Sequence, residues 1–542
     1  MMSRTGRHGL VAELGARTPI WIAGAFLVVF VAIPLLLLLW QTVASPGGLS
    51  LSAWRELLAD ERDVQRLFAS LRLGLAAMAV SVALGLGHTW CSLGRDLPGG
   101  AWLAPLGIAP LVVPPIFVAM GFADLMPVSG FWPCALLLGV AHAPFVAVLA
   151  ARGLRAVDGR GYESALLLRG RGRAELWLAR AILPELLAGC LLAFLFTVAE
   201  HGVPEFLTVK GKTWHTYAEG IYSRWTRRAT GVTFADQQSP IIASVPLVAA
   251  LLTMLWLTLR LRAHAQDRAV QQPLPLRPLG IWRVPALLVP ALYLGAGLVM
   301  PIVVLVRWTL GSAQKVDPMS IAFAQKSFQK AMDQGLPDLM HSLWLAAGTA
   351  LVVSLLALPL ARRAGRGNRA LEVLCALPLA APAILLGIGL VLTFNSGPLA
   401  ELFGFSFYDG WGFALCGYAA RFLPFAVLTL AAQVRRVPIG SDDAARLLPR
   451  SRLARAVYIH LPPLLPASWS AAVLVFVLAL RELDLAVLLP AANATAVRRL
   501  ANAVHFQHED WSGVIALLLL TAAVLLPLLP SLIAGRRLQS LS

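Results

Sequence analysis

Apolar residues dominate the chain in long runs that are separated by short polar loops. The first run, Ile20–Trp40, has 21 residues and no charge, and a helix needs about 20 apolar residues to cross a bilayer. Eleven further runs follow, so the pattern predicts about twelve transmembrane helices. The eleven lie near residues 70–91, 101–122, 130–151, 182–204, 240–259, 284–306, 342–361, 373–394, 411–433, 464–480 and 513–534.

Composition supports this prediction of an all-α polytopic membrane protein. Hydrophobic residues make up 58% of the 542 positions and charged residues only 13%, which is about half of the charged share in soluble domains. A disordered chain is excluded because such chains are polar and rich in charge. The five cysteines lie in apolar runs without metal-site spacing and are interpreted as small core residues.

The net charge of +17 suggests nucleic acid at first sight, but the position of the charges argues against that partner. When alternate loops are assigned to opposite sides, the side with both termini holds 28 of the 45 Lys and Arg and 10 of the 28 Asp and Glu. The net charges of the two sides are then +18 and −1. The positive-inside rule therefore predicts that both termini are cytoplasmic.

The chain repeats itself in parallel orientation. The segment Pro110–Pro114 with Gly121 matches Pro378–Pro382 with Gly389 at an offset of 268 residues, and the prolines of a later pair, Pro144 and Pro424, are 280 residues apart. Repeats of this kind are typical of transport proteins, in which the path runs at the interface of the repeats. We therefore predict two six-helix repeats.

The fourth cytoplasmic loop of each repeat carries a shared pattern of an acid, small residues, a Gly or Pro, and a closing Leu-Pro. We call residues 163–184 the first signature loop and residues 443–462 the second. The pattern residues are Glu163, Ser164, Ala165, Gly170, Leu183 and Pro184 in the first loop, and Asp443, Ala444, Ala445, Pro449, Ile459, Leu461 and Pro462 in the second.

These loops resemble the Glu-Ala-Ala loop in the membrane subunits of type I ABC importers. The resemblance implies that residues 1–261 and 284–542 are two transmembrane halves joined by a cytoplasmic linker, 262–283. It also implies that each loop forms a short coupling helix that docks on a separate ATP-binding subunit, with two copies per chain. Small residues let such a helix sit in a groove, the Gly or Pro makes a turn, and the acid caps a helix start.

Two further segments are similar to the fused permeases of ferric-iron importers. They are Glu200–Leu207 and Leu480–Asp484. The resemblance implies a multi-pass protein of the bacterial inner membrane that works with a periplasmic or lipid-anchored binding protein. Ferric iron is the expected cargo, and permeases for thiamine or aminophosphonate remain alternatives.

Four residues near the outer ends of two spans are candidates for a translocation path or an outer gate: Glu200, His201, Glu482 and Asp484. Acids at membrane depth are costly and should face the bundle or water. Alternatively, they lie at the interface and pair locally, for example Glu482 with Arg481. No resident metal is predicted, since the polar residues His505, His508, Glu509 and Asp510 fit an interfacial loop better than a metal site.

Other functions are less well supported. The only Gly-Lys-Thr, at 211–213, lacks the upstream glycine of a phosphate loop, so ATP hydrolysis would come from a partner. The chain itself is expected to be neither an enzyme nor a cofactor protein. A secondary transporter driven by an ion gradient stays open, although it leaves the paired loops unexplained. A lipid-processing membrane enzyme would need clustered catalytic groups near one membrane face.

Overall fold

The structure is a computed structural model. It describes residues 19–539 with the exception of 46–47, 50–53, 56–60, 127–128, 209–213, 228–233, 264–271, 312–318, 396–397, 439, 441–446, 448–451, 491–493 and 507–510. Within these residues the backbone is almost wholly helical, and the only sheet consists of two short strands, β1 (Ala44–Ser45) and β2 (Gly48–Leu49), which pair antiparallel.

Twenty helices in the described part of the chain are numbered in chain order, each with its short π or 3-10 turns included; the one-turn helix Arg452–Arg455 is left unnumbered. They are α1 Pro19–Gln41, α2 Glu61–Gly94, α3 Gly100–Val112, α4 Pro115–Leu125, α5 Phe131–Arg155, α6 Gly159–Ala199, α7 Gly202–Thr208, α8 Tyr217–Arg227, α9 Phe234–Ala263, α10 Gly280–Leu310, α11 Ile321–Gly365, α12 Arg369–Ala380, α13 Ala383–Asn395, α14 Pro398–Phe403, α15 Phe405–Tyr408, α16 Trp411–Arg436, α17 Val457–Leu480, α18 Asp484–Leu488, α19 Ala496–Phe506 and α20 Ser512–Gln539.

Among the described residues, eight helices are long and apolar enough to cross a membrane, and two bent helix pairs raise the number to ten. The predicted class of an all-α protein with several membrane-spanning helices is therefore confirmed. The two remaining predicted spans fall on shorter apolar segments, Ser244–Leu257 and Ser512–Pro527. The total of twelve spans and the cytoplasmic position of the termini stay predictions.

Two of the predicted spans are each broken into two helices. Helices α3 and α4 are bent by 90°, and helices α12 and α13 by 99°. The break falls in the repeated proline segment, because a residue that precedes proline is pushed out of the helical region. Val113 has φ −80° and ψ 120°, and Ala381 has φ −92° and ψ 119°. The repeat thus folds into two equivalent bends.

The helices pack into two compact units. The smaller unit contains Met1–Trp40, His341–Leu480 and Leu488–Asn493, and the larger contains Gln41–Met340, Arg481–Val487 and Ala494–Ser542. The smaller unit therefore combines α1 with helices of the predicted second half, whereas α10 packs in the larger unit with helices of the predicted first half. The division into two sequence halves stays a prediction, and each compact unit contains helices from both predicted halves.

The repeated glycines make these exchanged contacts possible. Within the smaller unit, a Cβ on Gly389 would lie 3.1 Å from the carbonyl oxygen of Pro34 on α1. Within the larger unit, a Cβ on Gly121 would lie 3.4 Å from the Cα of Pro301 on α10. Each bent span thus packs against the first helix of the other predicted half, at a glycine that allows close approach.

Candidate functional site

The first signature loop forms a helical hairpin within α6. The chain is helical from Gly159, turns at Gly170, and continues as a helix to Ala199. Gly170 has φ 73°, a left-handed conformation that favours glycine. The glycine of the sequence pattern therefore lies at the turn.

Glu163 does not start this helix, so the expected capping role of the acid is wrong for the first loop. The N-cap residue is Asp158, and its side chain makes no capping hydrogen bond to the helix. Glu163 and Ser164 are exposed, and the Ser164 hydroxyl donates to the carbonyl of Arg160 at 2.8 Å. The acid lies one turn into the helix because the helix already begins at Gly159.

Residues 159–169 have two different faces. Tyr162 and Ala165 are buried in a cluster with Leu154, Leu178 and Ile182. On the other face, Leu167 is 87% exposed and Leu168 84% exposed. Large apolar side chains that project so far from a folded surface are typical of an interaction site.

The remaining loop residues are only partly described. Leu183 is exposed and Pro184 lies within the second arm of α6. Asp443, Ala444, Ala445 and Pro449 lie outside the described residues. Ile459 and Leu461 are half-buried, and the exposed Pro462 begins a 3-10 turn, Pro462–Leu464, that leads into the long part of α17.

The structure brings the four candidate gate residues together in one buried cluster with Arg481. The Nδ1 of His201 donates to Oδ1 of Asp484 at 2.6 Å, and these side chains are separated by 283 positions. Glu200 interacts electrostatically with both residues and with Arg481 and Glu482. Except for the half-buried Glu200, every residue of this charged cluster is at most 9% exposed.

Two side chains pack closely on Gly202 beside the cluster. A Cβ on Gly202 would lie 2.9 Å from Cδ2 of Leu483 and 3.3 Å from Oε1 of Glu200. The segments that follow α6 and α17 are therefore in direct contact. Glu482 is not simply paired with its neighbour, since its Oε1 accepts a hydrogen bond from the backbone N–H of Leu485 at 3.1 Å, at the start of α18.

Arg481 connects the charged cluster to the first bent span. One guanidinium nitrogen donates to the carbonyl oxygen of Leu111 at 2.7 Å, and the same guanidinium attracts Glu200 and Glu482. Leu111 lies in the last turn of α3, where carbonyl groups lack helical partners. A cation is favoured at this end of a helix by the helix dipole.

Tyr222 of α8 covers the histidine of the cluster. The rings of Tyr222 and His201 have centroids 4.7 Å apart. Burial raises the pKa of Tyr222, Glu205 raises it further, and Arg498 lowers it. The phenol therefore stays neutral beside the ion pair.

The second bent span also has a buried arginine. Arg421 of α16 is 5% exposed, and its guanidinium donates to the carbonyl oxygens of Pro378 at 3.3 Å and Ala381 at 2.8 Å. Both carbonyls lie at the end of α12. Sequence reasoning missed this contact and that of Arg481, although an ionisable residue inside an apolar run is itself a signal.

His142 is a further buried polar group that the sequence analysis did not single out. The Thr197 hydroxyl donates to the carbonyl of Ala193, so Nδ1 of His142 donates to Thr197 Oγ1, at 3.0 Å. The Nε2 atom is then an acceptor at a buried position between α5 and α6. The imidazole lies near enough to Arg481 to interact with its charge.

Among the residues that the structure describes, no group of three or more His, Cys, Asp or Glu side chains is arranged to hold a metal ion. No protein-family model and no curated protein sequence matches the chain. The charged cluster contains an ion pair between two chain segments and a hydrogen bond that caps the start of α18.

Proposed function

We propose that the chain is the permease subunit of an ATP-driven, binding-protein-dependent importer and forms its translocation path. The observation that carries this proposal is the pair of bent spans. At each bend, a buried arginine donates hydrogen bonds to carbonyl oxygens at the end of a helix. Broken helices inside membrane proteins are tolerated where they line a path or are buried in protein. The proposal includes twelve spans in a bacterial inner membrane, with both termini in the cytoplasm.

The two signature loops are the proposed docking sites for two copies of an ATP-binding subunit. The helix 159–169 supports this role, since Leu167 and Leu168 project from it while Tyr162 and Ala165 anchor it. ATP binding would draw the two loops together, and hydrolysis would release them. The energy for transport then comes from the partner.

The charged cluster is the proposed gate of the path. In the closed state, His201 and Asp484 join the segments that follow α6 and α17. Three carboxyl groups face one arginine and one histidine, and burial raises the pKa of Glu200 to about 8. At neutral pH the closed cluster is therefore close to charge balance, and opening the gate would expose carboxyl oxygens that can bind a cationic cargo. Ferric iron is the proposed cargo, and thiamine and aminophosphonate are the alternatives.

Docking is tested by coexpressing the tagged chain with the genes beside its own and measuring the amount of ATP-binding subunit that copurifies. Leu167→Glu places a charge on the exposed face of the helix 159–169, and Asp443→Arg reverses the charge at the acidic position of the second loop. We expect each variant to reduce copurification at least about tenfold, as loss of an interface anchor does.

Ile281→Glu is the matched control, because Ile281 is also exposed, at 88%, but lies outside both signature loops. It should retain the partner. If the unchanged chain purifies without an ATP-binding subunit and transports in vesicles driven by an ion gradient, the protein is a secondary transporter and the proposal is overturned.

A further inference from the structure

We propose that residues 272–279 of the linker form a strap that holds the helix 159–169 in place, with Arg277 as the positioning residue that fastens it. This inference does not depend on what docks on the helix. It assigns the linker a mechanical function besides that of joining two halves.

Arg277 is buried in the larger unit. The residue is only 4% exposed although it belongs to the linker. The Nε atom donates to the carbonyl of Gly94 at 2.9 Å, and the guanidinium lies 4.2 Å from the ring centroid of Trp90. A Cβ on Gly94 would overlap the guanidinium, so the absence of a side chain there makes room for it.

The acid partner of Arg277 belongs to the signature-loop hairpin. Nη1 of Arg277 pairs with Oε2 of Glu175 at 2.5 Å, and Oε1 of Glu175 accepts a hydrogen bond from the Tyr162 hydroxyl at 3.2 Å. Tyr162 lies before the turn at Gly170 and Glu175 lies after it. The arginine thus ties the strap to both arms of α6 through one carboxylate.

Backbone hydrogen bonds fix the strap along the end of α2. The N–H of Asp96 donates to the carbonyl of Arg277 at 3.2 Å. The N–H of Leu279 donates to Oδ1 of Asp96 at 2.7 Å. Charge-assisted and backbone contacts of this kind determine a single position of the chain.

The other end of the strap contacts the first residue of the helix itself. The N–H of Gly159 donates to the carbonyl of Gln272 at 2.9 Å, and the N–H of Gln272 donates to Oδ1 of Asp158 at 3.0 Å. Asp158, the N-cap residue, is therefore occupied by the strap and not by its own helix. Leu274 packs against the cluster around Tyr162.

If the strap holds the helix 159–169 in place, Arg277 should limit local opening of that helix. We would measure amide hydrogen exchange of the full chain, purified in lipid nanodiscs, by mass spectrometry. Arg277→Met should accelerate exchange of amides 160–169 roughly tenfold or more, as loss of a hydrogen bond to a charged group does for local opening. Amides of α16, in the other unit, should not change.

Arg283→Met is the control for loss of a linker arginine. Its guanidinium also contacts Asp96, but the side chain is 55% exposed. It should leave exchange of the helix unchanged. Equal acceleration by both variants, or no acceleration by Arg277→Met, would overturn the proposal.

A second pair of variants tests the strap without touching Arg277. In Gly159→Ala the new methyl group would overlap the carbonyl oxygen of Pro273, whereas in Gly172→Ala nothing lies within 4 Å of it. The strap requires that Gly159→Ala accelerates exchange of amides 160–169 and that Gly172→Ala does not. Identical exchange in these two variants contradicts the strap, even if Arg277→Met fails to fold. Because no ATP-binding subunit is present, a failed docking experiment leaves this result unaffected.

Discussion

The two bent spans have the same proline pattern but different partners. At the bend between α12 and α13, Arg421 comes from α16, about forty positions away. At the bend between α3 and α4, Arg481 comes from a segment 370 positions away and also interacts with the charged cluster. The repeat position of Arg421 in the first bend's neighbour, α5, is Ala141, 280 residues earlier.

This difference shows that the proline pattern determines where the span bends. It does not determine which side chain donates hydrogen bonds to the carbonyl oxygens at the bend. Each bend leaves carbonyl oxygens without helical partners, and each needs a donor because the surroundings are apolar. In the second bend the donor is structural and local. In the first bend the same donor also balances acids that belong to the proposed gate, so bending and gating are connected only there.

Loss of Arg481 should have the largest effect on stability. Arg481→Met removes the donor to Leu111 and the guanidinium charge that attracts Glu200 and Glu482. Breaking a buried charge pair on one side costs about 3–5 kcal/mol. We expect a loss of this size in the free energy of unfolding, measured by denaturant titration of the purified chain with tryptophan fluorescence.

Arg366→Met is the control for that loss, because Arg366 also donates to a backbone carbonyl, that of Val437 at 3.0 Å. Its side chain is exposed, so the expected cost is below about 0.5 kcal/mol. A cost of Arg481→Met no larger than that of Arg366→Met would show that the acids do not need the guanidinium.

Loss of Arg421 should be the second largest effect. Arg421→Met deprives the carbonyls of Pro378 and Ala381 of their donor, which costs about 2 kcal/mol for buried acceptors. The cost should be smaller than for Arg481→Met, because Arg481 also neutralises two acids. Denaturant titration under the same conditions gives the order. If Arg421→Met costs as much as Arg481→Met, the bend dominates and the connection between the first bend and the cluster contributes little.

Much of the fold could be predicted from apolar runs, since each predicted span coincides with a helix or a bent pair. The bends are not visible in the apolar runs; their signal is the repeated proline, which pushes the preceding residue, Val113 or Ala381, out of the helical region. The sequence pattern places a turn at Gly170, and the structure has one there. Glu163 does not cap the helix, because the helix begins four residues earlier, at Gly159.

Which residues belong to the site could be predicted from the sequence, but the contacts between them could not. Glu200, His201, Glu482 and Asp484 stand out in the sequence as polar residues at span ends. Their contact joins positions 283 residues apart, and periodicity contains no information on such pairing. Arg421 and His142 were visible as polar residues inside apolar runs, but which carbonyl or hydroxyl each one meets depends on packing.

The smallest effect concerns the glycines that follow the two proline segments. In Gly389→Ala the new methyl group meets the backbone carbonyl oxygen of Pro34 at 3.1 Å, and a backbone atom within a helix cannot move aside alone. In Gly121→Ala the nearest atom is Sδ of Met300 at 3.0 Å, near the end of a flexible side chain that can change rotamer.

Gly389→Ala should therefore lower the free energy of unfolding by about 1–2 kcal/mol, as overpacking does. Gly121→Ala should be close to neutral, because alanine gains about 0.5–1 kcal/mol of helix preference over glycine and the methionine yields. Denaturant titration of the two variants in parallel measures the difference. Equal costs would mean that α1 and α10 approach the two bends alike. A larger cost at Gly121 would contradict this order and would mean that the packing of α10 against the first bend is the more rigid of the two.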